Sequence, residues 1–168
     1  MAIHEHKAKA QLIAKCLIIT VSDTRTKAND ESGKAIKKLL IHEDHEIIDH
    51  YIVKDEPREI KILLQETLDR IDVDMIILNG GTGIAPRDGT YEVVCQLLEK
   101  QLSGFGELFR FLSFQEIGSA AMMSRAVAGV ASTKVVISLP GSTKAVQLAM
   151  QRLILPELGH MVSLVQGR

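Results

Sequence analysis

Three stretches of this sequence, "AKCLIITVS" (14–22), "DMIILN" (74–79) and "TKVVISLP" (133–140), are apolar at consecutive positions rather than alternate ones. A strand with one wet face alternates polar and apolar residues, whereas a strand covered on both faces does not, and the second kind belongs to parallel sheets. Parallel neighbours need a crossover, and helical patterns fill the gaps. "ESGKAIKKLLIHE" puts Ile36, Leu39 and Leu40 on one face. "EPREIKILLQETLDRI" repeats Ile60, Leu63, Leu64, Leu68 and Ile71 at helical spacing, with Pro57 suited to its first turn. "YEVVCQLLEKQL" follows the third loop, and "GSTKAVQLAMQRLILPELGHMVSLVQ" closes the chain, with Pro156 breaking or kinking it. "HEIIDHYIV" (45–53) reads as a more mixed strand, and residues 103–130 read as two helices, about 106–115 and 118–128. Strands alternating with helices predict an α/β sandwich around a mainly parallel sheet. The expected layout is a flexible leader over residues 1–13 and a single domain over 14–168.

Composition narrows the function classes. Net charge is −1 with no basic stripe, and there is no Trp, so neither a phosphate-backbone binder nor a base-stacking platform is expected, hence no nucleic acid. No apolar run approaches the roughly 18 to 20 residues of a membrane span. Cys16 and Cys95, the two cysteines, sit inside apolar patterns and read as buried reduced thiols, which predicts a cytoplasmic protein. The Phe- and Met-rich segment 105–123 reads as core or as a subunit contact, and a homo-oligomer follows from the second reading.

In open α/β sheets, ligands bind beyond the carboxyl ends of the strands. Three loaded loops fall there: "SDTRT" after the first strand, "NGGTGIAPRDGT" after the third and "PGSTKAV" after the last. Each runs into a helix N-terminus, where unpaired amides favour anions. Thr90 and either Ser142 or Thr143 are the candidate helix caps. Glycines, hydroxyls and an Arg on one edge suit a phosphorylated, polar ligand. The common nucleotide motifs fail: Pro86 stands where a dinucleotide fingerprint needs glycine, and "SGKA" (32–35) lacks the glycine at position 28 and the Ser/Thr at 35 of a P-loop. His42, His45 and His50 lie in a charged helix-to-strand connection, which favours a solvated surface over a metal site.

The motifs together resemble a known family. "GGTGIAPRD" followed by Thr90 resembles the GGTG-x-x-PRD-x-T-P signature of the molybdenum-cofactor biosynthesis proteins of the MoaB/MogA family, which has related domains in gephyrin. "TVSDTRT…DESG" is similar to the family's SD-x-R…D-x-SG opening, and the 104–130 and "LPGSTKAV" segments look closest to the MoaB branch. The resemblance spans residues 14 to 166. Two positions depart from the pattern: Asn79, where the family often has Thr, and Tyr91, where it usually has Pro.

The resemblance implies a three-layer α/β/α fold that binds molybdopterin and assembles as a trimer or a dimer of trimers. It also implies a possible partner in the molybdate-inserting protein of the same pathway. Active members use Mg-ATP to adenylylate molybdopterin on its terminal phosphate. The alternative is a noncatalytic molybdopterin-binding or carrier protein. Carried onto this chain, Asp88 and Asp55 become the catalytic and Mg²⁺-binding carboxylates. Gly80, Gly81, Thr82, Gly83 and Arg87 become the phosphate loop, with Ser22, Asp23 and Arg25 beside the nucleotide. Ser142 and Thr143 would hold the pterin or its phosphate, a role compatible with capping. Asp30 and Ser32 match the family opening but read equally as a helix start.

Overall fold

The computed structural model describes residues 12–168. The leader expected over residues 1–13 lies, up to residue 11, outside the described residues, while Leu12 packs against the core. The elements in chain order are β1 (Lys15–Val21), α1 (Glu31–His42), β2 (Glu46–Val53), α2 (Pro57–Leu68), β3 (Met75–Asn79), α3 (Thr90–Leu97), β4 (Lys100–Gln101), α4 (Ser103–Ile117), β5 (Val127–Ala131) and β6 (Lys134–Leu139). The chain closes with α5 (Thr143–Ala149) and α6 (Leu155–Gln166).

The strands form one sheet in the order β2-β1-β3-β6-β5-β4. The first four are parallel, as the unbroken apolar runs require, and β5 and β4 continue the sheet antiparallel. Strand pleating sends alternate residues to opposite faces. Cys16, Ile18, Met75, Ile77 and Ile137 bury against α1, α4, α5 and α6 through Ile36, Leu40, Phe109, Val146 and Leu158. Leu17, Ile19, Ile76, Leu78 and Val136 bury against α2 and α3 through Ile60, Leu64, Val93 and Val94. The result is a three-layer α/β/α sandwich whose central strands β1, β3 and β6 are covered on both faces, while β2 is half-buried and the edge strand β4 is exposed.

Two local expectations are corrected. Residues 118–128 do not form a helix: a 3₁₀ turn (Gly118–Met123) leads into β5. The β5–β6 hairpin turns on Ser132 and Thr133, both with positive φ (47° and 60°), the geometry that two-residue hairpins need. Neither residue is the Asn or Gly that advertises such a turn, so the Ala-rich strand passed for helix. The helix after the glycine-rich loop stops at Leu97 instead of running on to Leu102, which frees Lys100–Gln101 to pair as the edge strand. The expected disturbance at Pro156 is present in a specific form. A π-helical stretch (Met150–Ile154) joins α5 to α6, and Pro156 occupies the first turn of α6, where its missing N–H and its ring are tolerated.

Candidate active site

β1 and β3 are neighbours in the sheet, but the chain leaves β1 for α1 on one face and β3 for α3 on the other, so the loops after β1 and β3 part from each other at the carboxyl edge. A crevice opens where they part. It is an open cleft of about 620 Å³, lined by Ser22, Asp23, Thr24 and Arg25 from the β1 loop and Asp55 from the β2 loop. Gly80 to Gly83 and Asp88 line it from the β3 loop, Pro140 and Gly141 from the β6 loop, and Met123 and Ser124 from the 3₁₀ turn. The three loaded loops thus share one site.

The glycines have defined jobs. Gly80 (φ 108°) lies where a Cβ would stand 2.2 Å from the Val21 carbonyl oxygen, so only glycine lets β3 leave the sheet beside β1. A Cβ on Gly81 (φ 65°) would stand 2.2 Å from Thr90 Oγ1 and 3.0 Å from Asp55 Oδ1. Both of those oxygens are buried and have no hydrogen-bond partner among the described residues. Thr90 is not the helix cap that its position suggested. Its backbone N–H donates to the Gly81 carbonyl (3.1 Å), Gly89 is the cap residue, and the Thr90 hydroxyl turns inward.

Burial pushes the Asp55 carboxyl above its ordinary range, and the negative charges of Asp88 and Asp23 push it further, while the Gly89 N–H and Arg87 oppose the rise. Asp88 Oδ2 accepts from the Ala85 N–H at 2.8 Å, which closes the loop on itself. A partly buried carboxylate facing a second one, with one oxygen unsatisfied, is the donor set a hard divalent cation takes together with phosphate oxygens. The residues present therefore fit Mg²⁺, and Asp55 and Asp88 are the ones that could hold it.

A family model described as a probable molybdopterin binding domain matches residues 17–160. The chain belongs to that molybdenum-cofactor biosynthesis family. The molybdenum cofactor biosynthesis protein B of Halalkalibacterium halodurans is 52% identical over 163 residues, covering 96% of each chain. A crystal structure of a molybdenum cofactor biosynthesis protein B has a TM-score of 0.92 at 46% identity, covering 95% of this chain and all of that one (100%). The tungsten cofactor synthesizing protein MoaB from Pyrococcus furiosus has a TM-score of 0.83 at 37% identity, over 94% of this chain and 99% of its own. The chain's role lies in molybdenum cofactor biosynthesis.

This member of the family places its other expected site residues unevenly. Ser22 Oγ accepts from the Thr24 and Arg25 amides, both at 3.2 Å, and shapes the β1 loop. Arg25 donates to the Gly141 carbonyl (2.8 Å) and to Ser32 Oγ, so it ties the β1 loop to the β6 loop. Asp23 accepts from the Asp55 N–H (3.2 Å) and pairs with Arg87 (3.2 Å), and Arg87 also reaches Glu56 (2.8 Å). Arg87 lies outside the cleft lining, and so do Ser142 and Thr143. Ser142 Oγ caps α5 through the Ala145 N–H (3.2 Å), as expected for one of the two candidates. His42 pairs with Glu43, and His45 Nδ1 accepts from the Ala14 N–H (3.2 Å). His50 joins a polar cluster under the β1 loop.

That cluster holds residues the sequence left ambiguous. Asp30 is fully buried and caps α1 through the Gly33 N–H (3.0 Å). Thr20 Oγ1 donates to Asp30 Oδ2 at 2.5 Å, Ser32 Oγ donates to Oδ1 at 3.2 Å, and His50 Nε2 lies 3.0 Å from Oδ2. Asn79, the departure from the family's Thr, donates to Ser32 Oγ (2.7 Å) and places its Oδ1 3.1 Å from Thr20 Oγ1. Burial raises the Asp30 carboxyl, but its donors outweigh burial and hold it below the ordinary range. Burial lowers the His50 ring, so a neutral imidazole protonated on Nε2 makes the contact.

Sequence reading missed Arg125 altogether. It donates to the carbonyls of Thr82 (3.3 Å), Gly83 (2.6 Å) and Asp88 (3.1 Å), pairs with Glu92, and lies 4.9 Å from the centre of the Tyr91 ring. The available signal was a single cation inside the otherwise apolar "AAMMSRAVAGV".

Proposed function

We propose that the chain binds molybdopterin and adenylylates it with Mg-ATP before molybdate insertion, in the cytoplasm. The observation that carries the reading is the pairing of Asp55, with its buried unsatisfied oxygen, and Asp88 across a glycine-floored cleft. Attack of a phosphate oxygen on the α-phosphorus of ATP, with pyrophosphate leaving, needs charge neutralisation and alignment more than a strong base. Mg²⁺ would supply that neutralisation, held by Asp55 and Asp88. Gly81, Thr82 and Gly83 offer backbone N–H groups to the phosphates, while the Gly80 N–H is held by the Leu139 carbonyl (2.9 Å) and Gly80, like Gly81 at positive φ, shapes the loop's departure from β3. Ser22, Asp23 and Arg25 border the nucleotide side. Gly141, fixed by Arg25, leads into the cap at Ser142, where α5 begins and where Ser142 and Thr143 would meet the pterin phosphate.

Incubation of the purified protein with molybdopterin and Mg-ATP, followed by chromatography for adenylylated product, tests this. Product formation supports the enzyme. Molybdopterin binding with no adenylylated product would move the protein to the carrier reading.

The same proposal includes a trimer or a dimer of trimers. Phe111, Phe114 and Ile117 on α4 and Met122 on the 3₁₀ turn are each more than half exposed, a group of large apolar side chains that a lone domain seldom shows to water. Light scattering at micromolar concentration should report three or six copies; a stable monomer would overturn it.

A further inference from the structure

We propose that Arg125 is the positioning residue of the glycine-rich loop: by gathering three of its carbonyls on one side, it turns the following amides towards the cleft as a phosphate cradle. The trans peptide unit is planar, with its C=O and N–H pointing opposite ways. Arg125 holds the carbonyls of Thr82, Gly83 and Asp88. The N–H groups of Gly83, Ile84 and Gly89 must then face away from it. The Gly89 N–H lies on the side of Asp55, a cleft residue whose carboxyl it favours in the charged form. No acceptor among the described residues meets the amides of Gly83 and Ile84, so they are free for a ligand's oxygens.

Arg125 itself works from behind. It lines the cavities on the far sides of the loop, beside Pro57 and Glu92 and beside Tyr91 and Arg110, and is absent from the cleft lining. All three guanidinium nitrogens are taken up by the loop carbonyls and by Glu92, and the Tyr91 ring covers a face. A guanidinium used this way is a rigid fork matched to several acceptors, which a lysine ammonium cannot reproduce. Its side chain is 26% exposed, so the clamp is reached by water only at its edge. The inference rests on reading the cleft as a nucleotide-phosphate site, and the experiment separates the two.

Arg125→Lys keeps the charge and loses the fork; Glu92→Gln, at an exposed position, loosens the fork without removing it. In the free wild-type protein, ¹⁵N relaxation should report the Gly83, Ile84 and Gly89 amides as rigid, with order parameters of about 0.85, falling below about 0.6 in Arg125→Lys. Inorganic pyrophosphate, titrated by calorimetry, should bind Arg125→Lys at least ~10-fold more weakly and Glu92→Gln by a smaller factor in the same direction, while the KM for Mg-ATP rises ~10-fold and kcat changes less than ~3-fold. If Arg125→Lys does not fold, Glu92→Gln alone decides through the same relaxation and pyrophosphate measurements. A loop as rigid as wild type with unchanged pyrophosphate affinity overturns the proposal. If the wild type never transfers adenylyl groups but the loop still loosens and pyrophosphate still weakens, the enzyme reading falls and the role of Arg125 stands.

Discussion

Two polar clusters flank the carboxyl end of β1, and they are built on opposite rules. Under α1, Asp30, Thr20, Ser32, His50 and Asn79 form a closed set: the carboxylate takes donors from a backbone amide, two hydroxyls and an imidazole. Across the sheet, beside α3, Asp55 Oδ1 and Thr90 Oγ1 are buried with no partner, and two carboxylates repel each other. Satisfied polar networks rigidify a fold, whereas orphaned groups cost stability and persist where a ligand completes them. The difference separates scaffold from site within one sheet edge. Two members of the same "SDTRT…DESG" motif region, Asp23 and Asp30, fall on opposite sides of that line.

The comparison breaks first at Asp30. Asp30→Ala removes the one acceptor that Thr20, Ser32, Gly33 and His50 share, and leaves Arg25 without its nearby counter-charge. Loss of one member of a buried charged network typically costs about 3 to 5 kcal/mol, read as a lower urea midpoint. A loss below about 0.5 kcal/mol, the size of an ordinary surface change, would mean that the cluster is not scaffold.

The opposite signature is expected at Asp88. Asp88→Asn retains an oxygen to accept from the Ala85 N–H, so the loop keeps its closure. Stability should stay within about 0.5 kcal/mol of wild type. Adenylylation should fall by at least ~100-fold, about 2.7 kcal/mol of transition-state stabilisation. Equal transfer rates would remove Asp88 from the catalytic group; unfolding would place it with the scaffold.

Asn79 gives an intermediate test. Its amide spans two partners, Ser32 and Thr20, and the Thr usual in the family carries a single hydroxyl. Asn79→Thr should cost about 1 to 2 kcal/mol, the value of one hydrogen bond lost in a buried setting. Thermal unfolding checks it. If the variant matches wild type, the Asn bridge adds nothing that Thr does not supply.

The sheet and its two covered faces were legible because period and burial leave direct marks on sequence: the runs at 14–22, 74–79 and 133–140 became β1, β3 and β6. The convergence of three loops was legible from chain order alone. The antiparallel edge was not, since Val127–Ala131 is short, Ala- and Gly-rich, and turns on Ser132–Thr133 rather than Asn-Gly. Arg125 was invisible for a related reason. It sits next to that unseen strand, and its partners are backbone carbonyls 37 to 43 residues earlier, which carry no side-chain signature. Only the hairpin's placement beside β6 brings it to the loop. Asp30 looked like a simple helix cap, and it is one. That it also anchors a network depends on His50 from β2 and Asn79 from β3, two strands that meet it only once the sheet has formed.

The smallest effect is the most discriminating, because the two clusters predict opposite signs. Asp30 is held below its ordinary 3.8, so near that pH the unfolded chain binds more protons than the folded one. Its contribution to stability is present above the unfolded value and is lost as pH falls through the lower, folded value. Asp55 is raised by burial and by Asp88 and Asp23, so the folded chain holds its proton longer than the unfolded one. Stability therefore declines as pH rises from 3.8 through the raised value, and the cost persists at neutral pH. Urea unfolding from pH 3 to 7 on two isosteric variants separates these terms. Asp30→Asn should lower stability at neutral pH and flatten the acid loss. Asp55→Asn should raise stability slightly at neutral pH, with the gain shrinking as pH falls through the raised folded value and gone by 3.8, while transfer activity is lost. Mg-ATP should stabilise the wild type more than Asp55→Asn, since a ligand that completes the site adds stability only where it binds. A neutral-pH loss of stability in Asp55→Asn would place Asp55 among the satisfied scaffold groups and erase the contrast with Asp30.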